Sequence, residues 1–171
     1  MKKSHLLILA TPVYTDNMTA QLKTAIDRCI CCMQPFLTQD QSGRIRHPCT
    51  WRMPDQFILI STAGFPERET FDPLIATFRA QAATFGSKPM AEICIPGSIG
   101  LQMEPEKLTG HLEYLEEAGG LIGRTGGLTA DILEKLNTLP LTRDQYLAAS
   151  VKYEDWCRKK LNSDQGQEKT G

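Results

Sequence analysis

Residues 5–18, His5-Leu6-Leu7-Ile8-Leu9-Ala10-Thr11-Pro12-Val13-Tyr14-Thr15-Asp16-Asn17-Met18, decide how the rest of the chain is read. His5 to Ala10 is a short apolar run that gives way to a Thr/Pro/Asn/Asp loop. That is the pattern of a strand buried on both faces, followed by a turn. Met18, Leu22, Ala25, Ile26, Cys29, Ile30 and Met33 then recur at helical spacing, which predicts a helix of about four turns with Asp16 or Asn17 as N-cap. The basic residues ahead of Leu6 imitate a secretory leader. The clean apolar run of five residues is shorter than the roughly seven to fifteen such a leader needs, so a strand is preferred and a cytoplasmic location is expected.

The same unit repeats downstream. Phe57 to Thr62 and Met90 to Ile95 are two further apolar runs, each ending in a Gly/Pro/Ser/Thr loop. Between them Phe71, Leu74, Ile75, Phe78, Ala82 and Phe85 keep helical period, with Pro73 in the first turn and Gly86 as the stop. Strand, helix, strand, helix, strand predicts a parallel sheet. Residues 34–56 are polar and carry three prolines and a glycine, and they read as a long loop or short excursion that contributes to function or to an oligomer interface.

Beyond residue 103 the pattern is helical. Pro105 opens a helix expected to weaken at Gly119-Gly120. Thr129 caps the next, with Leu128 and Leu133 as a hydrophobic staple. Thr142 and Gln145 form a capping box, with Leu141 and Tyr146 as its staple pair, opening a last helix that ends near Leu161. The expected organisation is therefore an α/β domain over 1–103, a helical extension over 104–161 packed on it, and a disordered tail over 162–171.

Nineteen basic and twenty acidic side chains give a net charge of -1. Neither nucleic acid nor an anionic membrane surface is the expected partner, and no apolar run approaches the roughly 20 residues of a membrane span. Cys29, Cys31, Cys32, His47 and Cys49 suggest a zinc site using Cys31, Cys32, His47 and Cys49. They are read instead as helix and loop residues acting as small hydrophobes, and no metal ligand is assigned. The glycines at 119, 120, 123, 126 and 127 follow a helix and fit no phosphate-loop pattern.

In open parallel sheets the ligand crevice lies beyond the carboxyl ends of the strands. That rule selects Thr11 to Asn17, Ser61 to Pro66 and Pro96 to Gln102. Tyr14 offers an aromatic face and Asn17 an amide. Thr62 and Ala63 offer backbone groups, Gly64 lets the main chain approach a ligand, and Phe65 walls one side. No acid–base pair or nucleophile stands among them, so no catalytic residue is assigned. Such a set suits a cofactor that carries its own chemistry, flavin first.

Residues 10–28, from Ala10-Thr11-Pro12-Val13-Tyr14 through Met18-Thr19-Ala20-Gln21-Leu22-Lys23 to Ala25-Ile26-Asp27-Arg28, resemble the third strand, flavin loop and following helix of the NADPH-dependent FMN reductases and multimeric flavodoxins. Ser61-Thr62-Ala63-Gly64-Phe65-Pro66-Glu67 and Ile95-Pro96-Gly97 resemble later loops of the longer members, relatives of iron-sulfur flavoproteins. The resemblance implies a flavodoxin-like three-layer fold. It also implies FMN bound by Thr11, Pro12, Val13, Tyr14, Asn17, Thr62, Ala63, Gly64 and Phe65, with NADPH or NADH as electron donor. Only strands 3-4-5 of the 2-1-3-4-5 order are expected here, without the Ser/Thr-rich loop that cradles the FMN phosphate in the family. The strand at Leu6 then becomes an edge, open to a second copy or a complementing chain. The alternative is a non-catalytic remnant or interaction module that binds no flavin.

Overall fold

The computed structural model describes residues 3–40 and 43–167. Three parallel strands, β1 (Leu6–Pro12), β4 (Gln56–Thr62) and β5 (Lys88–Ile95), form a sheet in the order β1-β4-β5. The fold is α/β in three layers, built on these three parallel strands with helices on both faces. Two short strands, β2 (Thr38–Gln39) and β3 (Ile45–Arg46), pair as an antiparallel hairpin in the segment read as a long loop or short excursion. Asp40 accepts from the Arg44 backbone and from the Arg46 guanidinium at its base.

β4 is central, and Phe57, Ile58 and Leu59 are each 1% exposed. Phe57 and Leu59 turn toward α2 (Asp72–Thr84), where they meet Leu74, Phe78 and Ala82. Ile58 turns the other way, joining Ala91, Ile93 and Ile95 of β5 under the C-terminal helices. Burying each such side chain contributes about 2 kcal/mol, so this strand, covered on two faces, anchors the fold. Pro89 sits near the start of β5, beside a register irregularity opposite Phe57 and Ile58. An edge strand tolerates a residue there that cannot donate to the ladder.

The expectation that the first strand is buried on both faces fails. Leu9 and Thr11 of β1 are buried, whereas Ile8 and Ala10 are exposed, because β1 is an edge whose second face is left largely uncovered. The first helix also differs. α1 is Ala20–Asp27, continued by a 3-10 turn, Arg28–Cys32, and its cap is Thr19, whose hydroxyl accepts from Leu22 N–H at 3.4 Å. The winding tightens where the chain is held from outside. The Cys32 carbonyl accepts from both the N–H and the hydroxyl of Thr50, at 2.7 and 3.0 Å, and Met33 bridges Cys49.

The other face is covered by α3 (Ser98–Gln102), α4 (Pro105–Thr125), α5 (Ala130–Asn137) and α6 (Arg143–Gln167). α4 runs through Gly119-Gly120 without a break, with Ala118 buried in the core beside them. Packing there outweighs the roughly 1 kcal/mol helix cost of each glycine. The expected caps form: Thr129 Oγ1 accepts from Ile132 N–H, and Thr142 and Gln145 exchange bonds of 3.0 and 3.3 Å. Leu141 and Tyr146 are both buried beside them. α3 was not foreseen; Gly100 lets it close on α6, since a Cβ there would stand 2.9 Å from the Tyr146 ring and 3.0 Å from Leu141. α6 continues past Leu161 to Gln167, and residues 168–171 of the expected tail lie outside the described residues. Among the described residues no helix is long and apolar enough to cross a membrane.

Candidate functional site

The three loops selected by the carboxyl-end rule are tied side by side by backbone hydrogen bonds. Val13 N–H donates to Thr62 O at 2.8 Å, joining the first loop to the second. Ala63 N–H donates to Ile95 O at 3.1 Å, Ser98 N–H to Ala63 O at 2.9 Å, and Gly97 N–H to Phe65 O at 2.7 Å, joining the second to the third. Ser61 Oγ also donates to Thr11 O at 2.7 Å from a fully buried position. The site is thus one continuous rim, not three mobile segments.

The tip of the first loop is strained. Tyr14 and Asn17 exchange backbone bonds of 2.9 and 3.3 Å, which forces Thr15 to φ 49° and Asp16 to φ 61°. Asp tolerates the left-handed region, but a β-branched residue such as Thr15 pays a steric penalty of about 1–2 kcal/mol there. Strain of this kind concentrates at ligand sites. Its effect is to hold Tyr14 outward, 65% exposed; Phe65 at the end of β4 is 65% exposed as well.

The hydrogen bonds sort the sequence-derived residues into two groups. Thr11 is buried, its hydroxyl donating to Pro12 O and accepting from Thr19 N–H. Asn17 Oδ1 accepts from Met18 N–H at 2.8 Å and its Nδ2 donates to Thr77 Oγ1 at 3.2 Å. Both N–H and C=O of Ala63 are engaged within the rim. These three residues, with Thr62 through its carbonyl, build the site. The N–H groups of Thr15, Asp16, Gly64 and Phe65 take no part in the backbone hydrogen bonds that tie the rim together, and the Tyr14 and Phe65 rings on the same rim are exposed.

Sequence reasoning missed the supports. Tyr146, read only as half of a staple, donates its hydroxyl to Gly64 O at 3.0 Å across 82 positions. Ile99 lies so close under Gly64 that an added Cβ would meet its Cδ1 at 2.9 Å. Thr77 and Ser61 hold Asn17 and Thr11. A cavity of about 330 Å³ adjoins the rim, lined by Thr62, Ser98, Gln102, Ile60 and Leu112 among others.

Cys29, Cys31 and Cys32 lie on the 3-10 turn after α1, with Cys49 bridged to Met33 beside it, and not on this rim. Cys29 and Cys32 are three apart, a Cys-x-x-Cys spacing that the reading of the cluster as simple packing residues passed over. Partial burial, then the neighbouring thiols of Cys32 and Cys31, raise the Cys29 pKa; burial and Cys32 raise that of Cys49. Cys31 donates outward to Arg28 O at 2.7 Å and His47 Nδ1 lies 3.0 Å from two carbonyls, Gln34 and Phe36. Among the described residues no three His, Cys, Asp or Glu side chains are arranged to hold a metal. Cys94, buried against Phe71, has its thiol pushed up to about 11 by desolvation and is held in the protonated form.

Residues 1–44 match the family described as NADPH-dependent FMN reductase. The match covers β1, the strained turn and α1, and bears out the resemblance over that stretch. No curated protein matches the chain. One similar solved structure is an FMN-dependent NADH-azoreductase from Bacillus anthracis in complex with FMN, at 12% identity and a TM-score of 0.42, over 89% of this chain and 57% of that one.

Proposed function

We propose that the chain is an FMN-binding, NAD(P)H-dependent oxidoreductase acting in the cytoplasm, with the isoalloxazine ring seated on the rim formed by Thr11–Asn17 and Thr62–Phe65. The observation that carries the reading is the rim itself, three strand ends locked together by backbone hydrogen bonds, with the Gly64 and Phe65 N–H groups outside those bonds and the Tyr14 and Phe65 rings exposed. The match over residues 1–44 supports the same cofactor. Flavin, when bound, would supply the chemistry of hydride and electron transfer between a nicotinamide donor and an acceptor. The residues here do the rest. The Gly64 and Phe65 N–H groups donate to the polar edge of the ring, Tyr14 and Phe65 offer flat apolar contact, and Val13 and Ala63 keep the two loops in register through Thr62 and Ile95.

The residues fit the ring and not the phosphate. The turn Pro96-Gly97-Ser98 joins β5 to α3 beside this rim, but α3 is five residues long and the N–H groups of Gly97 and Ser98 are spent on Phe65 O and Ala63 O, so the turn offers no open cradle for a phosphate. FMN and riboflavin should therefore bind the purified chain with affinities within about threefold of each other, a difference below 1 kcal/mol. The test is titration of each flavin into the protein, followed by visible absorbance and fluorescence, then addition of NADPH or NADH. Saturable binding and nicotinamide-dependent bleaching support the reading; a colourless protein that leaves added FMN unperturbed refutes it. A strong preference for FMN would reveal a phosphate site elsewhere in the chain.

A second reading rests on the open edge of β1. There a second copy or a complementing chain would add a strand and bring the phosphate cradle, and the chain alone would be an interaction module. Flavin binding that appears only on self-association or with an added partner favours this reading.

A further inference from the structure

Cys29, Cys31 and Cys32 lie on the 3-10 turn Arg28–Cys32, and all three are free thiols. A 3-10 helix has three residues per turn, so side chains three apart eclipse one another. Cys29 and Cys32 therefore leave the turn on the same side, while Cys31 leaves it elsewhere and donates its thiol to Arg28 O at 2.7 Å. We propose that Cys29 and Cys32 form a thiol–disulfide exchange site, oxidised to an intramolecular disulfide by low-molecular-weight disulfides and independent of the proposed flavin rim.

Three observations carry the pairing. The first is reach. A rise of about 2 Å per residue sets Cα atoms three apart on a 3-10 turn about 6 Å from one another, inside the roughly 4.4–6.8 Å that a disulfide spans. The second is contact between the thiols. Burial, the adjoining Cys32 and Cys31 thiols and a hydrogen bond with Cys32 all raise the Cys29 pKa, whereas Cys32 acts on Cys49 through space alone. The third is unequal exposure, Cys29 being partly accessible and Cys32 buried.

That inequality orders the chemistry. The Cys29 thiolate attacks one sulfur of the small disulfide, forming a mixed disulfide and releasing one small thiol. The Cys32 thiolate then attacks Cys29 Sγ, breaks the mixed bond and releases the second. The two cysteines lose two electrons and two protons, and the small disulfide gains them as two thiols. Cys32 is also where the chain leaves the helical segment: its carbonyl holds Thr50 through two bonds, and Met33 bridges Cys49. A bridge to Cys29 fixes this join, and in a reducing compartment it forms transiently, in step with the thiol pool.

The test uses the full chain, reduced and then equilibrated with mixtures of reduced and oxidised glutathione, quenched with iodoacetamide and read by mass before and after tryptic cleavage. The chain should lose the mass of two hydrogens, with Cys31 and Cys49 alkylated and Cys29 and Cys32 protected. The equilibrium constant for pairing should be at least about tenfold higher in the folded chain than in urea, because the folded turn holds the two thiols together. Cys31→Ser and Cys49→Ser should pair as the native chain does, and Cys32→Ser should stop at a mixed disulfide on Cys29. A native chain that carries only glutathione adducts, a bridge that uses Cys31 or Cys49, or an equilibrium constant no higher in the folded chain than in urea overturns the proposal.

Discussion

β1 and β4 lie side by side in register, Ile8 opposite Ile58, Leu9 opposite Leu59, Ala10 opposite Ile60, Thr11 opposite Ser61 and Pro12 opposite Thr62. Their sequences are nearly interchangeable over these positions, yet their surroundings are not. Ile8 is 49% exposed and Ile58 1% exposed. β4 has a strand on each side, with α2 over one face and the C-terminal helices over the other, while β1 has a neighbour on one side only and an uncovered face above Ile8 and Ala10. An apolar run specifies a strand; which faces are covered is decided by what the rest of the chain brings against it. The same contrast holds at the carboxyl ends. The loop after β4 is held by Ile95, Ser98 and Tyr146, whereas the loop after β1 is held by bonds to Thr62 and Thr77 and by its own strained turn.

The largest expected effect is on the buried strand. Leu59→Ala should destabilise the chain by about 2–5 kcal/mol, measured by denaturant unfolding, because the cavity it leaves between β4 and α2 has rigid walls in Leu74 and Phe78. A cost below about 1 kcal/mol would mean that the two strands are equally peripheral and that the contrast is wrong.

The next effect lies at the end of the same strand. Gly64→Ala places a Cβ 2.9 Å from Ile99 Cδ1 and should cost about 1–3 kcal/mol. Adding Ile99→Ala removes the clash, so the double variant should be more stable than the sum of the two single changes predicts. Strict additivity would show that Ile99 is not the neighbour that matters. The flavin affinity proposed for this rim should fall in the single variant and recover in the double one.

The loop after β1 should respond in the opposite direction. Thr15→Gly relieves a left-handed conformation that threonine resists. A gain of up to about 1 kcal/mol in stability is expected, reduced by the entropy glycine adds to the unfolded chain. If strain holds Tyr14 in place, the more stable variant should bind flavin less tightly. A variant that loses stability would show that the turn is not strained.

Features set by neighbours in sequence were the legible ones. The capping box at Thr142 and Gln145, the Thr129 cap, Pro73 in the first turn of α2 and Gly86 at its end are all local chemistry, and all form. The three strands and their parallel order are equally local in origin, each an apolar run ending in a loop. The misses needed partners far along the chain. The 3-10 turn at Arg28–Cys32 depends on Thr50 reaching back to Cys32, and α3 depends on Tyr146 and Leu141 closing over Gly100. At the site, the nine residues chosen lie on the two loops that the rim joins. Which of them keep a free hydrogen-bonding group was illegible, because Asn17 is engaged by Thr77 and Ala63 by Ile95 and Ser98. The Cys-x-x-Cys spacing of Cys29 and Cys32 was plain in the sequence, and reading the whole cluster as small hydrophobes left it out.

The smallest expected effect is also the one that can break the comparison outright. Ile8→Thr changes the apolar residue on the open face of β1 and keeps a β-branched residue that suits a strand. With half of Ile8 in water, little apolar area is lost, and the change should stay within about 0.5 kcal/mol of the native stability. Self-association, measured by sedimentation over a range of concentrations, should be unaltered if the face is bare in solution. A loss above about 2 kcal/mol, or a shift toward monomer, would mean that another chain covers Ile8. The two strands would then be alike in burial, and the difference between them would be a property of the isolated chain alone.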